Sequence, residues 1–381
     1  MTFDRWGDGA MLTITLVLLG IGATAVFSAS SVMAISEGGS AYTYLIRHCV
    51  KIAAGLIFMT VAWAVPFTRW GRLSPLLAIA ALGALIAVLV PSPFRVTVNG
   101  VHRWLRVGPV LFQPSEMARV TLVMYMAWVL SRKGDRLKSL THGYLPPLMA
   151  VGVFAALVAA EPSLGCAIAL FMVGFVLLFA AGARLAHLAG TVGLAALGAA
   201  AFVKPYQWKR ILTFVSSDVN PLDSGWQLWQ SLVALGSGGI AGKWGGSLQK
   251  FHYLPYPHTD FIFSVLGEQW GLIGALVVLG LVAALIWRGV RVAMAAGDPF
   301  ASLLAIGLTA SIGVYALLNV AVATGLAPTT GLPFPFLSYG GSALVANLFS
   351  VGVLLNISRF NTVSSVEKRY SARRAKRRSE A

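Results

Sequence analysis

Long apolar runs, one after another along most of 381 residues, constrain this chain more than any other feature. A helix needs roughly 20 residues to cross the hydrocarbon core of a bilayer, and runs near that length recur here with few charges inside them. At that depth no water satisfies the backbone, so helices that bond internally are the natural solution for runs this long. We place spans at about 10–34, 46–66, 73–91, 110–130, 144–160, 164–182, 185–203, 261–287, 299–325 and 336–357. The fifth is the shortest, and only Glu161-Pro162-Ser163 separates it from the sixth. The predicted fold class is an all-α polytopic membrane protein of about ten transmembrane helices, with a large extracytoplasmic loop (about 204–260) between spans seven and eight.

Charge supports this reading and orients it. Only 11% of residues are charged, against about a quarter in a soluble domain. The net charge of +16 could suggest nucleic acid, but its distribution argues for orientation in a membrane and for no nucleic-acid partner. With both termini inside, 18 of the 29 Lys and Arg fall in cytoplasmic segments, eight of them towards the C-terminal end. That bias puts both termini in the cytoplasm. We therefore expect a transmembrane domain over 1–360 and a basic cytoplasmic tail over 361–381 that touches anionic lipid. The first run is too long for a signal h-region and is expected to be retained. Cys49 and Cys166 are too few for a disulfide framework.

Ionisable residues at membrane depth are functional candidates by default. Glu116 and Arg119, three apart in Gln113-Pro114-Ser115-Glu116-Met117-Ala118-Arg119, share one helix face and can pair. Such a pair can equally be structural, since it neutralises itself. Asp260 opens the eighth span and continues through Ser264 and Glu268 as a polar stripe at i, i+4, i+8. Helix capping would explain Asp260 alone, but not Glu268 two turns deeper or the preceding His252 and His258. Two histidines and two carboxylates do not match a zinc spacing, so no metal-ligand residues are assigned.

Further polar clusters sit at expected span ends. Asn99 to Arg106 sets His102, Arg103 and Arg106 beside Trp104. The long loop, rich in aromatics and glycine, holds Trp226, Leu228, Trp229, Leu232, Val233 and Leu235 at the spacing of a short interfacial helix. Gly236-Ser237-Gly238-Gly239 follows it as a segment able to wrap a headgroup, and Ser338-Tyr339-Gly340-Gly341-Ser342 opens the last span.

Taken in order, these stretches resemble the SEDS family (shape, elongation, division and sporulation). The resemblance rests on Phe27 to Ser31, Asn99-Gly100 through Trp104, Gln113 to Glu116, Gln230-Ser231 with Gly236 to Gly239, His258 to Phe263, and Gly331-Leu332-Pro333 with Ser338 to Ser342. It covers nearly the whole chain, and Gln249 to Pro255 before His-Thr-Asp looks more like the FtsW branch than the RodA branch. Three departures stand out: Arg119 where the family usually has Lys, Glu161-Pro162-Ser163 where many members have Gln-Pro-Asp, and Tyr256-Pro257 where many have Pro-Glu before His-Thr-Asp.

What the resemblance implies is polymerisation of lipid II into β-1,4 glycan on the outer leaflet, with release of undecaprenyl pyrophosphate. It implies a class B penicillin-binding protein as partner, within the machinery of division or elongation. Asp260 is then the expected catalytic base. Arg103, Glu116, Arg119, Gln227, Ser231, Lys250, His258 and Ser338 are the expected substrate-binding residues. Arg103, Arg119, Lys250 or a divalent cation (Mg or Mn) held by phosphates would steady the leaving group, and no organic cofactor is expected. Two rivals use the same charges: a lipid II flippase, and a non-enzymatic division scaffold.

Overall fold

The structure is a computed structural model describing residues 7–98, 101–108, 110–161, 163–202, 225–243 and 258–379. Asn99-Gly100, Pro162, Lys250, His252 and most of the long loop lie outside the described residues.

Helix α1 (Gly9–Ser36) starts where Asp8 caps it, its carboxylate accepting from the Met11 amide. Helices α2 (Thr43–Ala64) and α3 (Phe67–Leu89) follow across Val65-Pro66. The expected loop at 92–109 instead folds into an antiparallel sheet of β1 (Arg95–Val98), β2 (Val101–Val107) and β3 (Val110–Phe112), in the order β1-β2-β3. Valines at 96, 98, 101, 107 and 110 favour the extended chain. The register pairs Arg95 with Leu105 and Leu105 with Phe112. This sheet takes the first residues of the predicted fourth span, so α4 (Pro114–Leu130) begins at 114, with proline in the first turn, where a missing N–H does no harm.

Two short turns, Gly134–Lys138 and Leu140–Tyr144, lead into α5 (Leu145–Ala160). Then come α6 (Leu164–Ala180), α7 (Leu185–Phe202), the short α8 (Trp226–Gly238), α9 (Ile262–Ala295), α10 (Pro299–Ala323) and α11 (Gly341–Ser379). Among the described residues, seven helices are long and apolar enough to cross a membrane, α6 being a shorter apolar helix. The all-α polytopic expectation holds, with the small sheet as its addition.

Burial sorts the helices. The apolar window of α11 is 78% buried and that of α10 67%, against 22% for α2. Helices α10 and α11 therefore form the centre. Helix α2 turns Ile46, Val50, Ile57 and Phe58 outward, and α3 does the same with Leu76 and Ile79, as lipid-facing helices do.

Helix α8 forms where the sequence places a short helix, and Trp229 and Leu232 on it are exposed. Its buried stripe is Gln230, Ser231, Ala234 and Gly238 rather than the aromatic and leucine face. The reason is close backbone approach: a Cβ on Gly238 would collide with the Gly267 carbonyl of α9. Beyond it, α9 breaks at Gly271, whose φ of 65° and ψ of −163° are not helical. The amides freed there find acceptors in the segment after α8, Leu272 N–H on the Gly239 carbonyl at 2.9 Å and Ile273 N–H on Ile240 at 3.2 Å. Lys243 N–H returns a bond to the Glu268 carbonyl at 2.9 Å. A break at membrane depth is thus satisfied by protein rather than water.

Candidate functional site

Asp260 lies in the turn 258–261 just before α9. Phe261 is the N-cap of that helix and no side chain caps it, so capping does not account for the Asp260 carboxylate. Its backbone is held from two directions. The Asn319 amide of α10 donates to the Asp260 carbonyl at 2.8 Å and to the Leu332 carbonyl at 2.7 Å. From the segment before α11, the Ser338 hydroxyl donates to the Thr259 carbonyl at 2.6 Å and the Tyr339 N–H to the His258 carbonyl at 2.8 Å. The same Ser338 oxygen accepts from Phe334 N–H at 2.8 Å. Ser338 thus shapes the turn through backbone contacts.

The segment 331–340, predicted as the start of the last span from 336, is irregular up to Gly341. Phe336 there has a φ of 66°, a left-handed conformation rare for a bulky side chain, and its ring is buried. Gly331 also has positive φ, at 70°, and a Cβ on it would stand 3.5 Å from Asp260 Oδ2. The carboxylate therefore lies beside Gly331.

The polar stripe divides below Asp260. Ser264 and Glu268 are buried, and the Ser264 and Ser231 hydroxyls meet at 2.6 Å. Ser231 also donates to the Ala323 carbonyl at 2.8 Å, pinning α8 to both α9 and α10. Gln227, at the start of α8, is half-buried. Gln269 on α9 hydrogen-bonds Ser28 of α1.

Glu116 and Arg119 are enclosed. The ion pair is 3.1 Å long, and the guanidinium donates to Ser311 Oγ at 2.7 Å and Asn347 Oδ1 at 2.9 Å. It lies 4.1 Å from the centroid of the Tyr315 ring and is wholly buried. The departure from Lys to Arg is thus accommodated by a planar group that reaches α4, α10 and α11 together.

Arg103 on β2 donates to the Glu161 carbonyl at 3.1 Å, fastening the sheet to the α5–α6 break. The Glu161 carboxylate is fully buried with neither oxygen hydrogen-bonded, as is the Ser163 hydroxyl. Burial pushes the Glu161 carboxyl up to about 8, against the opposing pull of Arg103. Burial, and secondarily Lys51, pushes His258 down to about 4, leaving a neutral ring at neutral pH.

Lys51 and its neighbours were missed by the sequence reading. Helix α2 brings Tyr44 to 5.1 Å from His258 and 5.6 Å from Tyr339, ring to ring. Lys51 Nζ sits 3.3 Å from the Tyr339 ring centroid, and His48 packs 5.8 Å from that ring. Both residues fall inside the predicted span 46–66, so the rule that flagged Glu116 and Arg119 would have found them. Among the described residues no three His, Cys, Asp or Glu side chains gather as a cation site.

Comparison with known proteins agrees along the whole length. The cell cycle protein family that groups FtsW, RodA and SpoVE matches residues 9–363. A probable peptidoglycan glycosyltransferase FtsW from Geobacter sp. (strain M18) is 41% identical over 355 residues, 92% of this chain and 96% of the relative. Stage V sporulation protein E of Bacillus subtilis (strain 168) is 38% identical, covering 93% of this chain and 97% of its own. A chain of a peptidoglycan synthase complex that coordinates polymerization and crosslinking superposes with a TM-score of 0.79 at 28% identity, over 93% of this chain and 98% of that one. The rod shape determining protein RodA of Thermus thermophilus superposes at 0.68 with 27% identity, over 93% and 97%. With a match that runs from α1 to α11 and a fold shared with solved members, the chain belongs to the FtsW/RodA/SpoVE family of integral membrane proteins.

Proposed function

We propose that the chain polymerises lipid II into β-1,4 glycan strands at the outer leaflet, releasing undecaprenyl pyrophosphate, with Asp260 as its base. That it is a peptidoglycan glycosyltransferase follows from relatives of that name at about 40% identity over most of the chain. The observation that carries the finer reading is the Asp260 carboxylate, which does not cap α9 and lies beside Gly331 in a turn held by Asn319 and Ser338.

In the step proposed, the 4-hydroxyl of the acceptor glucosamine attacks the anomeric carbon of the donor muramic sugar. The new O–C bond forms as the bond to the diphosphate breaks, with inversion from α to β. The hydroxyl proton passes to Asp260, and the electron pair leaves with the diphosphate. A positioned base contributes about 10² to 10⁴ in rate. Arg103 and Lys250 are proposed to face the substrate, as are Gln227 and His258. Glu116 and Arg119 hold three helices in register around the site and act at one remove. A divalent cation, Mg or Mn, would travel with the diphosphate, and no step here depends on one.

The charge bias of the loops supports cytoplasmic termini and an outward-facing Asp260. A class B penicillin-binding protein is the proposed partner, in keeping with the polymerization and crosslinking joined in the related complex. Relatives named FtsW favour a role in division.

The test supplies purified lipid II to the detergent-solubilised protein with its cognate transpeptidase and divalent cation, and in parallel follows labelled lipid II across proteoliposomes. Glycan polymer supports the proposal. Translocation without polymer would replace it with the flippase reading.

A further inference from the structure

The α2 cluster beside Tyr339 is built for something the proposed step leaves unassigned. Lys51 lies about two turns inside a membrane-spanning helix, where a charge is expensive unless it has a task. Its ammonium lies over the Tyr339 ring, and no carboxylate stands within ion-pair distance of it among the described residues.

Its stem runs past Gly341, with Cδ 3.4 Å from where a Cβ would be. Gly341 is the first residue of α11, whose opening amides have no acceptor inside the helix and carry its positive dipole end. A cation is therefore held against the positive end of a helix, which is unfavourable unless an anion lies between them. The neighbouring imidazoles point the same way. His48 is fully buried with neither ring nitrogen hydrogen-bonded, and His258, also buried, has an unpartnered Nδ1. These are donors and acceptors placed without partners among the described residues in the same cage.

We propose that Lys51, His48, His258 and the N-terminus of α11 form a subsite for the diphosphate of a polyprenyl-linked substrate. Helix N-termini bind phosphate through their amides, and a lysine adds a point charge that reaches it. The Tyr44 and Tyr339 rings wall the subsite, and Lys51 holds the headgroup beside Tyr339, whose N–H bonds the His258 carbonyl in the turn that carries Asp260. The assignment rests on the polymerase reading for its substrate but not for its chemistry, which requires only a diphosphate ester.

The probes are undecaprenyl diphosphate, neutral undecaprenol and inorganic pyrophosphate, each titrated onto the full-length protein in nanodiscs. Lys51→Met should weaken undecaprenyl diphosphate at least tenfold and leave undecaprenol unchanged, and Lys51→Arg should recover most of the loss. Unchanged diphosphate binding in Lys51→Met overturns the proposal, as does an equal loss for both lipids. Inorganic pyrophosphate binding as tightly as the lipid would overturn the lipid assignment. On unaltered protein, undecaprenyl diphosphate should shield Lys51 from an amine-acylating reagent, and no shielding would count against the subsite whether or not the variants fold. Shielding in a protein that makes no glycan would sink the polymerase and keep the subsite. Polymerisation with an unchanged KM in Lys51→Met would do the reverse.

Discussion

Two buried charge clusters sit in this molecule, and they are finished to different degrees. Around Arg119 the guanidinium has a carboxylate, a hydroxyl, an amide oxygen and an aromatic face, drawn from α4, α10 and α11. Around Tyr339 a lysine lies over the ring, and both His48 nitrogens and His258 Nδ1 meet no hydrogen-bond partner among the described residues. Arg119 Nε and Glu116 Oε2 make no further hydrogen bond among the described residues, but the two charges neutralise one another, so the first cluster reads as structure. The second pairs its lysine with no carboxylate among the described residues and reads as a place kept for a ligand. Asp260 adjoins the second, through His258 and the Tyr339 backbone. The lesson is that depth in the membrane flags both clusters, and the balance of charge separates them.

The comparison breaks most easily at Arg119. Arg119→Met should lower stability by about 3–5 kcal/mol, because it strands Glu116 as a buried unpaired charge. The readout is the thermal midpoint of detergent-solubilised protein. Activity per folded molecule should fall far less than the yield, and a fully stable but inactive variant would move Arg119 into the substrate-binding group.

Glu161 tests whether an unpartnered carboxyl weakens the fold. Its carboxyl is raised to about 8 from an ordinary value near 4.5. The folded protein therefore binds more protons than the unfolded chain between those values. Stability from the neutral carboxyl is complete below about 4.5 and is lost as pH rises through 8. The window spans on the order of 5 kcal/mol at about 1.36 kcal/mol per pKa unit. Glu161→Gln should flatten the fall of the thermal midpoint between pH 5 and 8.5, and an unchanged slope would contradict the assignment.

Ser231→Ala should cost about 1 kcal/mol, typical of one hydrogen bond, as α8 loses its tie to Ser264 and Ala323. A larger loss of polymerisation than of stability would bring Ser231 back to the substrate. At the small end, Lys138→Ala removes an exposed ion pair with Asp135, and neither midpoint nor activity should move measurably.

Much of this architecture was legible beforehand. Apolar runs locate membrane helices because the bilayer leaves the backbone few options, and that logic served α1 to α3, α5, α6, α9 and α10. It failed where polar and apolar residues alternate at period two, so Arg95 to Phe112 looked like a loop and formed a sheet. The short helix α8 forms as expected, but its tightest contact, at Gly238, comes from an absent side chain that the conspicuous tryptophans do not announce. Asp260 and Arg119 stood out because each lies in a recognisable stretch. Lys51 and His48 lie in none; their depth in the span 46–66 could have flagged them, but their contact with Tyr339 and Gly341 shows only when the fold brings α2 against the 338–341 segment.

The most direct test of the central claim compares wild type with Asp260→Asn in lipid II polymerisation, at equal folded protein and with the partner transpeptidase present. The account predicts polymer from wild type and a loss of about 10² or more in rate for the variant, with its thermal midpoint unchanged. Polymer at the wild-type rate from Asp260→Asn would contradict it, and the base would have to be sought elsewhere in the site.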